Sequence, residues 1–174
     1  MVNLLAELLK ARGSVRQGDF LLASGKRSKL YVDIKAAITD PGVLSVIALE
    51  IGRRAGFETV AGVAVGGIAV AVAVALATGK PYAIVRREEK GHGTGGRIIG
   101  EVAGRPTLLV EDVTTSGGSV ISAVRLLRDS GAKVDTVIAI VDREEGAEAA
   151  LAAEGVRLVP LVTLTELLGR DESL

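Results

Sequence analysis

Short apolar runs recur along the chain at Val60–Val65, Tyr82–Arg86, Thr107–Val110, Thr136–Val141 and Arg157–Leu161. Short runs rich in Val, Ile and Leu between polar or glycine boundaries predict buried strands. Helical patterns lie between them at Ile68–Ala77, Gly118–Ser130 and Glu144–Ala153, the last acidic near its start, as the helix dipole favours. Strands alternating with helices predict an α/β fold, a parallel sheet flanked by helices. In such sheets ligands bind at the carboxyl ends of the strands. Three polar features fall there: Gly66-Gly67, the segment from Glu111 onward, and Asp142-Arg143.

The N-terminal part reads differently. "MVNLLAELLKARG" predicts an amphipathic helix, not a signal peptide, because Glu7 interrupts the apolar pattern and no basic leader precedes it. Val15 to Ile34 holds two short extended pieces around "ASGKRS", a hairpin-like or irregular segment. Asp40 as N-cap and Pro41 in the first turn start a helix that runs to about Ala55, where Gly56 stops it. Repeats, low-complexity linkers and domain boundaries are absent, which predicts a single domain, with 1–39 as an N-terminal region and 40–174 as the core.

Composition narrows the function. The 174 residues suffice for one sizeable core, and 48% apolar content argues against disorder. Aromatics are only 2%, which disfavours stacking on single-stranded nucleic acid. Lys plus Arg and Asp plus Glu are 21 each, so there is no general attraction to DNA or anionic lipid. Without cysteine there are no disulfides or thiolate metal sites, and a single His makes a His-based zinc site improbable. Thr59 to Gly79 is uncharged over nearly a membrane span, but it is mostly Ala, Val and Gly and is divided by Gly66-Gly67. A buried strand, a tight turn and a small-residue helix fit it better. The expectation is a cytoplasmic protein with no nucleic-acid or membrane partner.

The stretch "TLLVEDVTTSGGSV" carries the chemistry. After the strand Thr107–Val110 come Glu111 and Asp112, then the turn Thr114, Thr115, Ser116, Gly117, Gly118 and Ser119 into the next helix. Backbone N–H groups of such a turn can converge on an anion, and glycine allows close approach. The hydroxyls add donors, so a phosphate monoester fits. The GK[ST] ending of a Walker loop is absent, and so is a G-x-G-x-x-G fingerprint. Carboxylates ahead of the cradle would repel phosphate unless they face ribose hydroxyls or Mg²⁺. The bland alternative is an N-cap turn with its acids in solvent.

Three further segments are ambiguous taken singly. "VRREEKGHGTGGRIIGE" places Arg86, Arg87, Lys90 and His92 on a glycine-rich loop able to close over a polyanion, or on a solvated hairpin tip balanced by Glu88 and Glu89. Gly66-Gly67 could hold a second phosphate group at a helix start, or simply allow a tight turn. Arg143 could grip a planar carboxylate, or pair with Glu144 or Glu145 at the surface.

"LLVEDVTTSGGSV" closely resembles the phosphoribosyl-pyrophosphate (PRPP) motif of type I phosphoribosyltransferases. "RREEKGHGTGG", "VDREEGA" and "LLASGKRSKLYVDIK" are similar to the catalytic loop, the orotate-contacting segment and the N-terminal base-covering region of orotate phosphoribosyltransferases. The resemblance spans nearly the whole chain. It implies the type I fold with residues 1–39 as a small hood, and Mg²⁺-dependent transfer of 5-phosphoribose from PRPP to orotate, giving orotidine 5'-monophosphate in UMP biosynthesis. By the same resemblance Glu111 and Asp112 hold the ribose hydroxyls, with Asp112 counted among the catalytic residues. The segment Val113, Thr114, Thr115, Ser116, Gly117, Gly118 and Ser119 takes the 5-phosphate. Arg86, Arg87, Lys90 and His92 engage the diphosphate from a loop shared across a homodimer interface, Lys90 as the main cation and His92 as proton donor or positioning group. Thr115 and Arg143 contact orotate, and Gly66 and Gly67 lie in the pyrophosphate loop. Mg²⁺ is held mainly by PRPP, with Glu111 and Asp112 as candidate ligands.

The chain departs from better-known members at three places: Ala23 and Gly66 stand where many or some have Lys, and Arg86-Arg87 stands where the loop often reads Arg-Lys. Lys26, Arg27, Lys29 and Lys35 are open as replacements, and Tyr31 is either base-side or core. The alternatives are a phosphoribosyltransferase for a purine or uracil, a non-catalytic PRPP-sensing regulator, or an α/β domain binding another nucleotide phosphate.

Overall fold

The computed structural model describes residues 3–21, 27–54, 56–87 and 96–169. Helix α1 (Leu4–Ala11) is followed by strands β1 (Val15–Leu21) and β2 (Arg27–Val32), the short α2 (Ile34–Ala37) and α3 (Pro41–Arg54). The core then runs β3 (Thr59–Val63), α4 (Gly66–Thr78), β4 (Tyr82–Val85), β5 (Ile98–Ile99), β6 (Thr107–Thr114), α5 (Gly118–Asp129), β7 (Thr136–Asp142), α6 (Ala147–Ala153), β8 (Arg157–Thr163) and α7 (Leu164–Leu168). A six-stranded sheet has the order β5-β4-β3-β6-β7-β8. Its strands are parallel except β5, which pairs antiparallel with β4. β1 and β2 form a separate antiparallel sheet, so the predicted hairpin-like segment is a true hairpin with a register shift between Gln17 and Phe20.

The period-2 pleat sorts β6 onto two cores. Leu108 and Val110 face the layer made by Leu9 of α1, Ile47 and Ile51 of α3, and Val70 and Val74 of α4. Leu109 faces Val120, Val124 and Leu127 of α5 and Leu151 of α6. All these side chains are essentially inaccessible; each such burial stabilises the fold by about 1.5–3 kcal/mol. Sheet edges β5 and β8 flank four strands, of which β3, β6 and β7 have long apolar runs because both their faces are covered.

Several boundaries differ from expectation for identifiable reasons. The sequence pattern ends the strand at Val110, yet β6 continues to Thr114 and pairs with β7 as far as Thr114↔Asp142. Carboxylates are poor strand formers in isolation, but here the ladder carries them into the interior. β3 stops at Val63, not Val65, and α4 begins at Gly66, not Ile68; Val65 is apolar like a strand residue but is 77% exposed. The Ala64–Val65 peptide is cis. α6 begins at Ala147 rather than Glu144, because Glu144 takes a left-handed conformation (φ 59°) and Gly146 another (φ 100°). The Glu144 carboxylate instead accepts hydrogen bonds from the Thr165 backbone N–H and hydroxyl at 2.8 and 2.6 Å. The short elements α2, β5 and α7 have no counterpart in the periodicity. Among the described residues no helix is long and apolar enough to cross a membrane.

Candidate active site

The carboxyl ends of β3, β6 and β7 lie side by side, and the helices that follow them share a peculiarity. α1, α2 and α7 begin with side-chain caps from Asn3, Asp33 and Thr163, and Asp40 accepts hydrogen bonds from the first turn of α3. The N-cap residues of α4, α5 and α6, which are Val65, Gly117 and Gly146, supply no side-chain cap. A helix end without a side-chain cap presents the positive end of its dipole, and its first N–H groups turn to backbone carbonyls, as Ala147 N–H does to Thr115, or to a ligand. The edge predicted to bind ligand therefore carries three uncapped helix starts.

The start of α5 has the geometry of a turn able to receive an anion. Gly117 has φ 84°, and a Cβ there would press on Ala147 at 3.2 Å, so glycine satisfies both the left-handed turn and the close approach of α6. The Thr115 carbonyl receives the Ala147 N–H at 3.1 Å, tying the two turns together. Thr115, Ser116, Gly118 and Ser119 are exposed at this edge, while Val113 is half-buried against the larger core. Thr114 differs from its expected part in the cradle. It is 1% exposed, and its hydroxyl donates to the Asp142 carboxylate at 2.9 Å. That hydroxyl locks β6 to β7, so the side-chain donors left at the cradle are Thr115, Ser116 and Ser119.

Glu111 and Asp112 are neighbours with opposite electrostatics. Both are nearly buried, at 2% and 6% exposure. Glu111 Oε1 accepts the Asp112 backbone N–H at 3.1 Å, and Oε2 has no hydrogen-bond partner among the described residues. Burial, reinforced by the adjacent Asp112 carboxyl, pushes Glu111 up to about 9, so it holds a proton at neutral pH. Burial pushes Asp112 up as well, but the Glu111 hydrogen bond and the ammonium of Lys35 outweigh it and leave Asp112 below the usual carboxylate range. Lys35 Nζ lies 3.1 Å from Asp112 Oδ2. Asp112 is thus the charged member of the pair, and Glu111 the neutral one.

Gly66 closes this corner. A Cβ at residue 66 would fall inside the Asp112 carboxyl group, and one at Gly67 would meet the Val110 carbonyl at 2.7 Å. The glycine pair is therefore more than a permissive turn: it lets the start of α4 rest on the acid pair. On the other side, Arg143 is 9% exposed, its backbone N–H bonds the Thr114 carbonyl at 3.0 Å, and its guanidinium pairs with Glu145 at 2.9 Å. The Glu145 alternative for Arg143 is realised, but Nε has no hydrogen-bond partner, so a buried donor remains for a ligand.

Arg86 and Arg87 line a cavity of 190 Å³ with Arg97 and Ser119, between the end of β4 and the start of α5. Arg97 has no place in the sequence reading. It holds the root of the glycine-rich loop, donating to the Arg86 and Arg87 carbonyls at 3.3 and 2.8 Å. Only its position beyond the last glycine hinted at this. Lys90 and His92 lie outside the described residues, as do Ala23 and Lys26 and the side chain of Lys29. Arg27 is ion-paired with Asp19. Tyr31 is 37% exposed on β2 with its ring against Phe20, so it is not core.

Mg²⁺ fits this donor set only as a shared ligand. Among the described residues no group of three or more acidic, His or Cys side chains could hold a metal. Mg²⁺ retains waters and commonly takes one or two carboxylates plus substrate phosphates. The ionised Asp112 suits that role, and the unpartnered Oε2 of Glu111 is adjacent.

Comparison with known proteins identifies the family and the fold. A family model described as phosphoribosyl transferase domain matches residues 47–155, more than half of the chain. The orotate phosphoribosyltransferase of Methanoculleus marisnigri is 55% identical over 168 residues, covering 97% of this chain and 99% of that protein. The crystal structure of orotate phosphoribosyltransferase from Aeropyrum pernix superposes with a TM-score of 0.80 at 41% identity, covering 95% of this chain and 96% of the other. The Mycobacterium tuberculosis enzyme in complex with PRPP gives 0.78 at 33% identity, with 95% and 97% covered.

Proposed function

The chain belongs to the orotate phosphoribosyltransferase family, and from that premise we propose that it transfers the 5-phosphoribosyl group of PRPP to orotate, as a step of UMP biosynthesis. The observation that carries the proposal is the acid pair on β6 running directly into the uncapped start of α5, with the buried Arg143 on the next strand end. One ligand that spans the two features must offer hydroxyls to Asp112 and a phosphate to the α5 turn. A second ligand beside it must offer an anionic group to Arg143.

In this reading an orotate ring nitrogen forms a bond to C1 of the ribose while the C1–oxygen bond to diphosphate breaks, and diphosphate leaves with the bonding pair. Positive charge gathers on the ribosyl ring in the transition state, as at other glycosidic centres. Asp112, ionised and held by Lys35, binds the ribose hydroxyls and lies where developing positive charge is favoured. Glu111 keeps its proton at neutral pH and can donate it to a hydroxyl or to Asp112. The N–H groups at the start of α5, with Thr115, Ser116 and Ser119, anchor the 5-phosphate. Gly66 and Gly67 bring the start of α4 toward the diphosphate, and Arg86 and Arg87 face it from the loop root. Lys90 and His92 complete the cationic lid, by the family resemblance. Arg143 and Thr115 orient orotate. Mg²⁺, when bound with PRPP, neutralises charge on the leaving diphosphate. No covalent nucleophile is required: the residues position and polarise.

A homodimer is part of the same proposal, with the Lys90 loop acting across the interface in a cytoplasmic enzyme. Helix α4 supports it: it carries no charged residue and leaves Leu76 82% exposed near its end, with its N-cap Val65 at 77%. A surface helix with no polar face is expected to be covered.

The deciding experiment follows loss of orotate absorbance with PRPP and Mg²⁺, with adenine, hypoxanthine, xanthine and uracil in parallel. Turnover of orotate alone is expected. Turnover of another base only would overturn the base assignment, and PRPP binding without any turnover would point to a sensor.

A further inference from the structure

Lys35 stands outside the region matched by the phosphoribosyl transferase family model, on the short α2 that follows the N-terminal hairpin. Its position is held from three sides. Ile34 and Ala37 bury completely on either side of it. Asp33 Oδ1 accepts the Lys35 backbone N–H at 3.1 Å, and the Asp33 N–H bonds the Ser14 carbonyl at 2.8 Å. From this anchored turn the side chain, 62% exposed, reaches across to a carboxylate that is only 8% exposed and ends 3.1 Å from Asp112 Oδ2. Among the described residues no other cation is paired with Asp112.

The reason lies at residue 66. The turn after β3 lies against Asp112, and a side chain at residue 66 cannot coexist with the carboxylate in this position. A cation for this corner has to come from another element, and α2 is the element packed against β6 at that point. An ammonium is a compact charge with three donors on a flexible stem. It pairs with Oδ2 as an ion pair at 3.1 Å, that oxygen accepting no hydrogen bond among the described residues, while Oδ1 accepts the Val113 N–H at 2.9 Å and is fixed in direction.

We infer that Lys35 is a positioning residue for the proposed reaction: it clamps Asp112 in the orientation that receives the ribose hydroxyls of PRPP. This rests on the assignment of Asp112 to PRPP made above. The N-terminal region thus contributes to the PRPP site itself as well as to the base side.

A double-mutant cycle on PRPP affinity tests it, by calorimetric titration of PRPP with Mg²⁺ into wild type, Lys35→Ala, Lys35→Arg, Asp112→Asn and Lys35→Ala/Asp112→Asn. Lys35→Ala is expected to raise the PRPP Kd roughly fivefold, the scale of a largely exposed ion pair, with the KM for orotate unchanged. Lys35→Arg should recover most of the affinity. In the Asp112→Asn background the Lys35→Ala change should add no further loss, because its action passes through Asp112. Equal losses in both backgrounds would overturn the inference and make Lys35 a direct substrate contact. Unchanged affinity in Lys35→Ala would overturn it too. Failure of the wild type to bind PRPP would sink the proposed function along with it, which separates that outcome from the others.

Discussion

The carboxylate of Asp112 occupies the space that a Cβ on Gly66 would need. Two residues far apart in sequence thereby constrain each other: the acid can lie flat against the start of α4 only because residue 66 has no side chain. Gly66→Ala should displace the Asp112 side chain and raise the KM for PRPP about tenfold or more, while stability falls by about 1–3 kcal/mol, the usual cost of overpacking. Steady-state kinetics with PRPP varied, beside urea denaturation, reads both. An unchanged KM would mean that the Asp112 orientation does not matter for PRPP.

Thr114 predicts a different signature. Thr114→Val removes the donor to a buried Asp142 and leaves that carboxylate without it. The expected loss is about 1–3 kcal/mol of stability, visible as a lower urea midpoint, with PRPP affinity little changed because this hydroxyl does not face the cradle. A large affinity loss at full stability would return Thr114 to the phosphate site.

Glu111 should leave a mark on the pH dependence of stability. An ordinary Glu ionises near 4.5, and Glu111 near about 9. Between those values the unfolded chain has lost a proton that the folded chain keeps. Stability therefore falls as pH rises from about 4.5 to about 9 and gains no further slope above that. Glu111→Gln should flatten this decline and be more stable than wild type at pH 8, by on the order of 1–3 kcal/mol. Urea denaturation at pH 5 and pH 8 decides it: the same difference between variant and wild type at both would show that Glu111 is already ionised.

Arg143 is held by Glu145 at 2.9 Å with Nε still unpartnered. Arg143→Ala should reduce kcat/KM for orotate by about 10²-fold or more, and Arg143→Lys should rescue little, because an ammonium cannot form a planar fork. Glu145→Gln should lower the KM for orotate by freeing the guanidinium. Wild-type orotate kinetics in Arg143→Ala would remove it from the base site.

Lys90 carries the charge expected to matter most in the loop. Lys90→Ala should lower kcat by about 10²–10³, the usual cost of removing one well-aimed donor, with the fold intact by circular dichroism. Full turnover would exclude that role.

Much of the candidate site was legible because its chemistry is contiguous. Acid pair, hydroxyls and glycines stand together from Glu111 to Ser119, and a helix start after a strand needs no long-range information to be read as an anion site. The partners of these residues were not legible. Lys35 and Arg97 carry no local mark that separates them from other surface cations; what distinguishes them is the Asp112 carboxylate and the loop-root carbonyls they reach. Thr114 looked like its hydroxyl neighbours until the β6–β7 register placed Asp142 against it.

Local periodicity was enough to predict the parallel sheet, and turn chemistry was enough to point to a phosphate-binding turn at its carboxyl edge, because apolar spacing and turn chemistry act over a few residues. Only the tertiary structure decided which carboxyl of the pair is charged, which hydroxyl is spent on holding strands together, and why residue 66 is glycine. Those properties depend on desolvation, Coulomb interaction and exclusion of volume between atoms that approach within a few ångströms after folding, and the distance between them along the chain does not encode them.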